Sequence, residues 1–384
     1  MGEEDKKTSK PMYEQIYDVL NNQIISGHYG EGDRVPSEKE LAESYNVSRI
    51  TSKKALELLA AAGLIIRLPG KGSFVKGKED TAEKEALEQS RQQKGAPSLL
   101  GLVITDFDYS YGTRIVHGAE EASRENNCFL VLRRTLGVFE NEVDAIKELQ
   151  ELGVDGLIVF PAHGEFFNEE LLKLIIDKFP LVLIDRHLKG VAAASISTDN
   201  VKAALQGTQH LFELEHRNIG ILTPPPRDTT AIEGRIEGFI EAHAAQGVVV
   251  NRDFWITDIT STLPNAFRKE NIEADVDRIK KHIVKYPEIT ALFAVEYNIA
   301  LLAKRAVQEL QLKVPEDISI ISFDSPELDF ENVFKFTHLK QKEKEMGRMA
   351  IENILKLKEG LDISNRQLLD AELIIGESTK NAKK

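Results

Sequence analysis

At 384 residues, 42% apolar and 29% charged, the chain is long enough for two or three folding units and has the balance of a globular protein rather than a disordered or membrane-embedded one. A formal charge of −13 argues against a surface uniformly attracted to nucleic acid. The single cysteine, Cys128, excludes an intramolecular disulfide framework and fits a reducing cytoplasm.

The opening MGEEDKKTSK has no apolar signal core, and no apolar run approaches a membrane span, so a cytoplasmic protein with no membrane partner is expected. Between Pro11 and Gly27, Tyr13, Ile16, Leu20 and Ile24 recur at helical spacing and predict an amphipathic helix whose stripe is core. Residues 36–75 read PSEKELAESYNVSRITSKKALELLAAAGLIIRLPGKGSFV. Ser37 as N-cap and Glu40 three residues on make a capping box. Leu41 and Tyr45 give that short helix its apolar edge, Asn46-Val47 interrupts it, and Ser48 caps a longer helix with Ala55, Leu58, Leu59 and Ala62 on its buried face. Gly63 stops this second helix. Leu64–Leu68 then predicts a strand, Pro69 to Gly72 a turn, and Ser73–Val75 a returning strand. The pattern is a winged helix-turn-helix.

The first turns of the second helix collect Ser48, Arg49, Thr51, Ser52, Lys53 and Lys54, donors of the kind that reach base edges and phosphates when a helix N-terminus enters the major groove. Lys71, between two glycines at the wing tip, suits a phosphate or the neighbouring minor groove. Residues 1–78 hold twelve Lys or Arg against eleven Asp or Glu, about +1, which leaves about −14 on the remainder. The acid lies outside the reader.

From Tyr13 to Val75 the chain resembles the DNA-binding domain of the GntR family of bacterial regulators. The resemblance implies that Glu38, Lys39, Ser48, Arg49, Thr51, Lys53, Gly70, Lys71 and Gly72 approach double-stranded DNA. Lys53 stands where many members have Arg, which weakens a bidentate guanine contact there.

Residues 76–97, charged and nearly devoid of large apolar groups, predict a linker between a winged helix at 11–75 and a second domain at 98–384. After Pro97 strands and helices alternate: strands at 99–105, 129–133, 156–160, 181–184, 218–222, 255–256, 291–295 and 318–323, with helices at 115–126, 143–152, 171–178, 201–213, 235–245, 276–285 and 300–310. The expected class is α/β, with parallel sheets in two lobes and a ligand in the cleft beyond the carboxyl ends of the strands.

Those ends carry Asp106, Phe107, Asp108, Tyr109, Ser110 and Tyr111 after the first strand, His163 after the third, Asp185, Arg186 and His187 after the fourth, and Asp324 after the last. Aromatic faces with carboxylate and guanidinium groups match a sugar's apolar C–H faces and hydroxyl rim. Phe166 and Trp255 are further stacking candidates, although core burial accounts for both.

DGLIVFPA from Asp155, PLVLIDR ending at Arg186, STDNVKAALQGTQHLFELEHRNIGIL, RIEGF from Arg235, TALFAVEYNIALLAKRA and VPEDISIISFD ending at Asp324 resemble the periplasmic-binding-protein-like sensor of the LacI/GalR family. The likeness implies that Asp185, Arg235 and Asp324 bind an effector, with Arg186 as a further candidate. Arg235 has an alternative as a surface partner of Glu233 or Glu237. Where that family has Asn-Asp, this chain has Val295-Glu296: either Glu296 takes over the sugar bond or the ligand differs. The union of the two parts resembles the arabinose repressors of Gram-positive bacteria, which implies a pentose, L-arabinose first.

The expected function is a homodimeric repressor of carbohydrate-utilisation genes, released from operator DNA by a small sugar and using no cofactor or metal. The alternatives are a sugar-binding protein of an uptake system and a regulator working with a co-repressor or as an activator. The histidines lack HExxH spacing and no serine sits in a nucleophile elbow, so catalysis is not expected. His216 reads as a helix-end cation.

Overall fold

The computed structural model describes residues 10–30, 32–68, 72–75, 97–162, 168–225, 229–264, 266–326 and 334–383. The chain divides after Ala96 into two compact units. The expected wing tip at Gly70 and Lys71, the linker at 76–96, and His163 and Phe166 lie outside the described residues.

The first unit begins with α1 (Met12–Ile25) and β1 (Arg34–Val35), continues through α2 (Glu38–Ser44) and α3 (Arg49–Ala61), and ends in β2 (Ile65–Leu68) and β3 (Gly72–Val75). The strands form an antiparallel sheet in the order β1-β3-β2. The start of α2 is fixed by a reciprocal cap: the Glu40 backbone N–H donates to Ser37 Oγ at 3.3 Å, and the Ser37 backbone N–H donates to Glu40 Oε2 at 2.7 Å. The turn between the helices passes through Asn46 at φ 49°, a left-handed conformation that asparagine tolerates better than most residues. Ile16 and Leu20 of α1 are buried against Leu41, Ala55, Leu56, Leu59 and Ile65.

The buried face of α3 differs from the expected one by a step of phase. Ser52, Ala55, Leu56 and Leu59 are buried, whereas Leu58 is 37% exposed and Ala62 is exposed. The i, i+3, i+4, i+7 set therefore starts at Ser52, which takes that residue off the polar face.

The second unit has two lobes. In the first, β4 (Ser98–Ile104), α4 (Thr113–Glu125), β5 (Cys128–Arg134), α5 (Phe139–Glu151), β6 (Gly156–Val159), α6 (Glu169–Ile176), β7 (Leu181–Ile184) and β8 (Ala194–Thr198) alternate. With β13 (Arg366–Leu369) they give a parallel sheet in the order β13-β8-β7-β6-β4-β5. Every residue of β6 and β7 is buried, as continuous apolar strands covered on both faces should be. The second lobe comprises α7 (Asn200–Glu213), β9 (Ile219–Leu222), α8 (Thr230–Ala245), α9 (Lys269–Lys285), β10 (Ala291–Ala294), α10 (Tyr297–Glu309), β11 (Ser319–Phe323), β12 (Thr337–Lys340) and β14 (Glu372–Ile374). Its sheet runs β14-β12-β11-β10-β9, with β14 antiparallel to the rest.

The chain crosses between lobes after β8, between β12 and α11 (Glu343–Lys358), and between β13 and β14. α11 returns to the first lobe and packs on α4. Gly118 and Gly347 allow this close approach: a Cβ at either would overlap the backbone carbonyl of Lys344 or Ile115 on the facing helix.

Three expectations change here. Trp255-Ile256 is not a sheet strand: a short 3-10 turn at Arg252–Phe254 precedes it, and only Ile256 makes a single bridge to Leu222. β8 and the elements beyond β11 have no counterpart among the expected ones: short strands of small or polar residues such as ASIST and THLK carry little periodic signal, whereas α11 has Met346, Ala350, Ile351 and Ile354 buried at helical spacing. His216 is no helix-end cation. It is buried, with Nδ1 2.9 Å from Thr290 Oγ1 and Nε2 2.9 Å from the Lys380 carbonyl, and burial lowers its pKa. It ties the C-terminal segment to the second lobe. Among the described residues, no helix is long and apolar enough to cross a membrane.

Candidate functional site

On the first unit, the polar surface gathers at the start of α3. Ser48 Oγ accepts the Thr51 backbone N–H at 3.2 Å and lies 2.9 Å from Thr51 Oγ1, so both hydroxyls also shape the cap. Arg49 is exposed and no ion pair engages it among the described residues. Lys53 lies 3.7 Å from Glu57 and Lys39 3.9 Å from Glu43, loose pairs on an exposed surface that cost little to break. Glu38 pairs with Arg67 of β2, which makes it a clamp between helix and wing. Lys54 lies over the Tyr13 ring at 3.9 Å. Ile50, which apolar periodicity passed over, is 79% exposed between Arg49 and Thr51.

In the second unit, a cavity of about 130 Å³ lies at the strand ends of both lobes. This is the size class of a single sugar ring. Tyr111, Phe160, Asp185 and Arg186 of the first lobe face Arg235, Glu296, Tyr297 and Asp324 of the second, with Gln341 from a crossing segment. A roomier groove of about 670 Å³ along α8 is lined by Glu237, Ile240 and Trp255 among others, but it draws on the second lobe alone.

Asp185 and Asp324 occupy equivalent turns. Each follows a buried strand, each has a left-handed backbone (φ 63° and 56°), and each donates its N–H to a neighbouring strand, to the Ile196 and Leu339 carbonyls. The turns aim both carboxylates into the cleft, and non-glycine residues hold this conformation where the surroundings impose it. Tyr111 Oη donates to Asp185 Oδ1. Burial and the Asp185 charge push the Tyr111 hydroxyl well above its ordinary pKa, so it remains a donor.

Arg235 is buried rather than on the surface. Nε donates to Asn200 Oδ1 at 2.8 Å, Nη1 donates to the Val295 carbonyl at 2.6 Å, and the guanidinium stacks 3.8 Å from the Phe323 ring centroid. Val295 thus contributes its backbone, while its side chain belongs to the core. Arg186 Nη1 donates to the carbonyls of Pro161 and Ala162 at 3.1 and 2.6 Å, and Nε lies 3.7 Å from Asp185.

The floor joins the crossing segments. Gln341 donates from Nε2 to Asp324 Oδ2 at 2.6 Å and from its backbone to Oδ1 at 3.2 Å, while Thr198 Oγ1 donates to Gln341 Oε1 at 2.6 Å. Burial pushes the Asp324 carboxyl up to about 6 against the nearby Arg235 charge. Behind it, Glu343 accepts the Gly112 backbone N–H at 2.6 Å. Burial and the Asp324 charge push its carboxyl up to about 8, so Glu343 carries its proton at neutral pH.

Asp106 and Phe107 lie outside the cavity lining, contrary to the expectation for them. Asp106 is exposed, accepts from its own loop at Phe107 N and pairs with Arg134 at 3.3 Å; Phe107 packs against the first-lobe core. Once β4 ends, the loop turns on Asp108, which receives the Ser110 backbone N–H at 2.6 Å, so these two residues point away. Tyr109 is likewise outside the lining, contrary to the expectation for it: it is 62% exposed and edge-on to Tyr297 at 6.3 Å. Gln341 and Glu343 carry no sequence signal because they follow β12, whose THLK sequence lacks the apolar run that marks the other strand ends.

Residues 12–75 match the model of the bacterial regulatory proteins of the gntR family, and residues 208–379 match that of the periplasmic binding protein-like domain. The chain joins a GntR-family DNA-binding domain to a periplasmic-binding-protein-like domain. An arabinose metabolism transcriptional repressor of Geobacillus stearothermophilus is 27% identical, covering 98% of this chain and 99% of that one. One of the same description from Halalkalibacterium halodurans is 26% identical, covering 97% of each. The transcription regulator CcpA of Lactococcus lactis has the same fold over 74% of this chain and 100% of that one, with a TM-score of 0.64 at 18% identity. The relatives are transcriptional regulators, and the two family models cover the winged helix and, from within α7 onward, the second lobe with the elements that return to the first.

Proposed function

We propose that this protein is a cytoplasmic, non-enzymatic transcriptional repressor of carbohydrate-utilisation genes: it holds operator DNA through its winged helix and releases it when a small sugar binds the cleft. The observation that carries this reading is the convergence of Tyr111, Asp185 and Arg186 from one lobe on Arg235, Glu296 and Asp324 from the other, in a cavity of single-sugar size. Near full-length likeness to arabinose metabolism repressors supports a pentose, with L-arabinose first in line. The domains follow as winged helix at 11–75, linker at 76–97 and sensor at 98–384, with two copies forming a homodimer on a two-fold operator.

On the DNA side, Lys39, Ser48, Arg49, Thr51 and Lys53 make the contacts, Gly70, Lys71 and Gly72 carry the wing, and Glu38 positions them. Ile50 adds an apolar contact of the kind that reads a thymine methyl. On the sugar side, a ligand held by both lobes favours closure, and the crossing segments that bond Asp324 and Arg235 carry the change. A hundredfold release requires about 2.7 kcal/mol of coupling, which two hydrogen bonds to charged groups across the cleft supply.

The test is operator affinity of the full chain, on a duplex selected from a random pool, with and without a panel of pentoses and hexoses. A fall of tenfold or more with one sugar is expected, and no response to any sugar would remove the induction model. Arg49→Ala is expected to lose about 1–3 kcal/mol on the selected duplex and much less on random DNA. Equal losses on both would assign Arg49 to phosphates.

A further inference from the structure

The charges of the winged helix are tied into one chain that runs from the wing strand to the row of α3 assigned to DNA. Arg49, Lys53 and Glu57 recur every four residues on α3 and share one exposed face. The row therefore ends in a carboxylate, one turn beyond Lys53. Phosphates flank any groove that such a helix enters, so an uncompensated acid at this place opposes binding.

Two cations reach that acid through the same oxygen: Lys53 Nζ and Arg67 Nη1 each lie 3.7 Å from Glu57 Oε1. Arg67 belongs to β2, in register with Ser73 of β3, and its Nη2 donates to Glu38 Oε1 at the start of α2. One guanidinium thus spans both helices of the motif from the wing strand. Its planar fork serves two carboxylates at once, which a single ammonium does less well. The Lys53–Glu57 pair has the weaker order along a helix, with the base N-terminal to the acid, so Lys53 is easily drawn away. Arg67 is held on two sides and is 32% exposed, against 56% for Lys53.

We propose that Arg67 is a positioning residue of the DNA reader: it takes over the charge of Glu57 when Lys53 turns to the duplex, keeping Glu57 and Glu38 from opposing the phosphates. The inference rests on the DNA-binding reading and adds to it a residue that acts through others rather than by touching DNA. Lys53 can then leave its partner without baring an acid at the end of its own row. Partly exposed ion pairs contribute little to folding, so removing the guanidinium leaves the winged helix folded.

Affinity of the full chain for a duplex selected from a random pool, measured at about 50 and 200 mM salt, tests this. Arg67→Gln should weaken binding by about tenfold at the lower salt and by less at the higher, because salt shortens the reach of the uncompensated carboxylates. Glu57→Gln removes the acid that Arg67 compensates, so in that background Arg67→Gln should cost only about threefold or less, the non-additivity expected of residues in one network. A loss that persists undiminished in the Glu57→Gln background would make Arg67 a direct phosphate contact or a support of the fold, and would overturn the proposal. No loss from Arg67→Gln at either salt would overturn it as well. If the wild-type chain prefers no duplex, DNA reading itself fails and the inference with it, a result seen before any variant is made and so distinct from the other two.

Discussion

Replacing Arg235 with methionine is expected to destabilise the second unit by about 3–5 kcal/mol, the range for removing one partner from a buried ionic cluster. Three groups lose their partner at once: Asn200 Oδ1, the Val295 carbonyl and the face of Phe323. A fourth effect is electrostatic. The Arg235 charge is the chief influence that lowers the Asp324 pKa against burial, so without it Asp324 should hold its proton to higher pH and lose its value as a charged sugar acceptor. Urea unfolding followed by Trp255, the single tryptophan, reports on the lobe that holds Arg235, since its ring packs edge-on to Phe239 at 6.1 Å. Arg235→Lys, which keeps the charge but not the planar fork, should recover only part of the loss. A loss below about 1 kcal/mol for Arg235→Met would mean that the cleft can repack around an apolar side chain.

Glu343→Gln is expected to do the opposite, raising stability progressively as pH climbs from 4.5 to about 8 and leaving it nearly unchanged below 4.5. The folded pKa of Glu343, about 8, lies above its ordinary value of 4.5. The folded state therefore takes up a proton that the unfolded state releases, and the associated stability is complete below 4.5 and lost as pH rises through about 8. Glutamine cannot ionise and can still accept the Gly112 N–H, so it avoids that loss, on the order of a few kcal/mol by pH 9. Melting temperatures of both forms at pH 4.5 and pH 9 provide the measurement, with little gap at pH 4.5 and one of about 5 °C or more at pH 9. The window overlaps the range where His216, His243 and His282 matter, but the histidines are common to both forms and cancel in the comparison. Burial lowers their pKa values, so their contribution is present at neutral pH and lost as pH falls below about 6.5. A constant difference at both pH values would show that Glu343 is ionised throughout and that its environment is more polar than its burial implies.

The winged helix was legible because its determinants are local. Ser37, Glu40, Asn46 and Ser48 act within four residues of their own positions, through caps and one left-handed turn. The face of α3 was less so: Leu58 and Leu56 are both plausible from spacing, and only packing against α1 selects Leu56. In the cleft, Asp185 and Asp324 could be named from their place at strand ends, since parallel sheets put ligands there. Asp106 sits at an equivalent strand end and turns away to Arg134, a choice made by its loop that residue type does not reveal.

The sequence by itself determined two folding units of different kinds, a capped two-helix reader and a parallel α/β body, because capping, turn chemistry and apolar runs are encoded over a few neighbouring residues. Tertiary structure alone decided which side chains meet. Thr198 and Gln341 are 143 positions apart and Gly112 and Glu343 231 apart, and the three crossings that bring them together leave no periodic mark in the chain. Burial then set their chemistry: it left Glu343 protonated, Arg235 fixed beneath the cleft and Glu296 unpaired in its wall, because the cost of removing a charged group from water depends on what surrounds it in space rather than along the sequence.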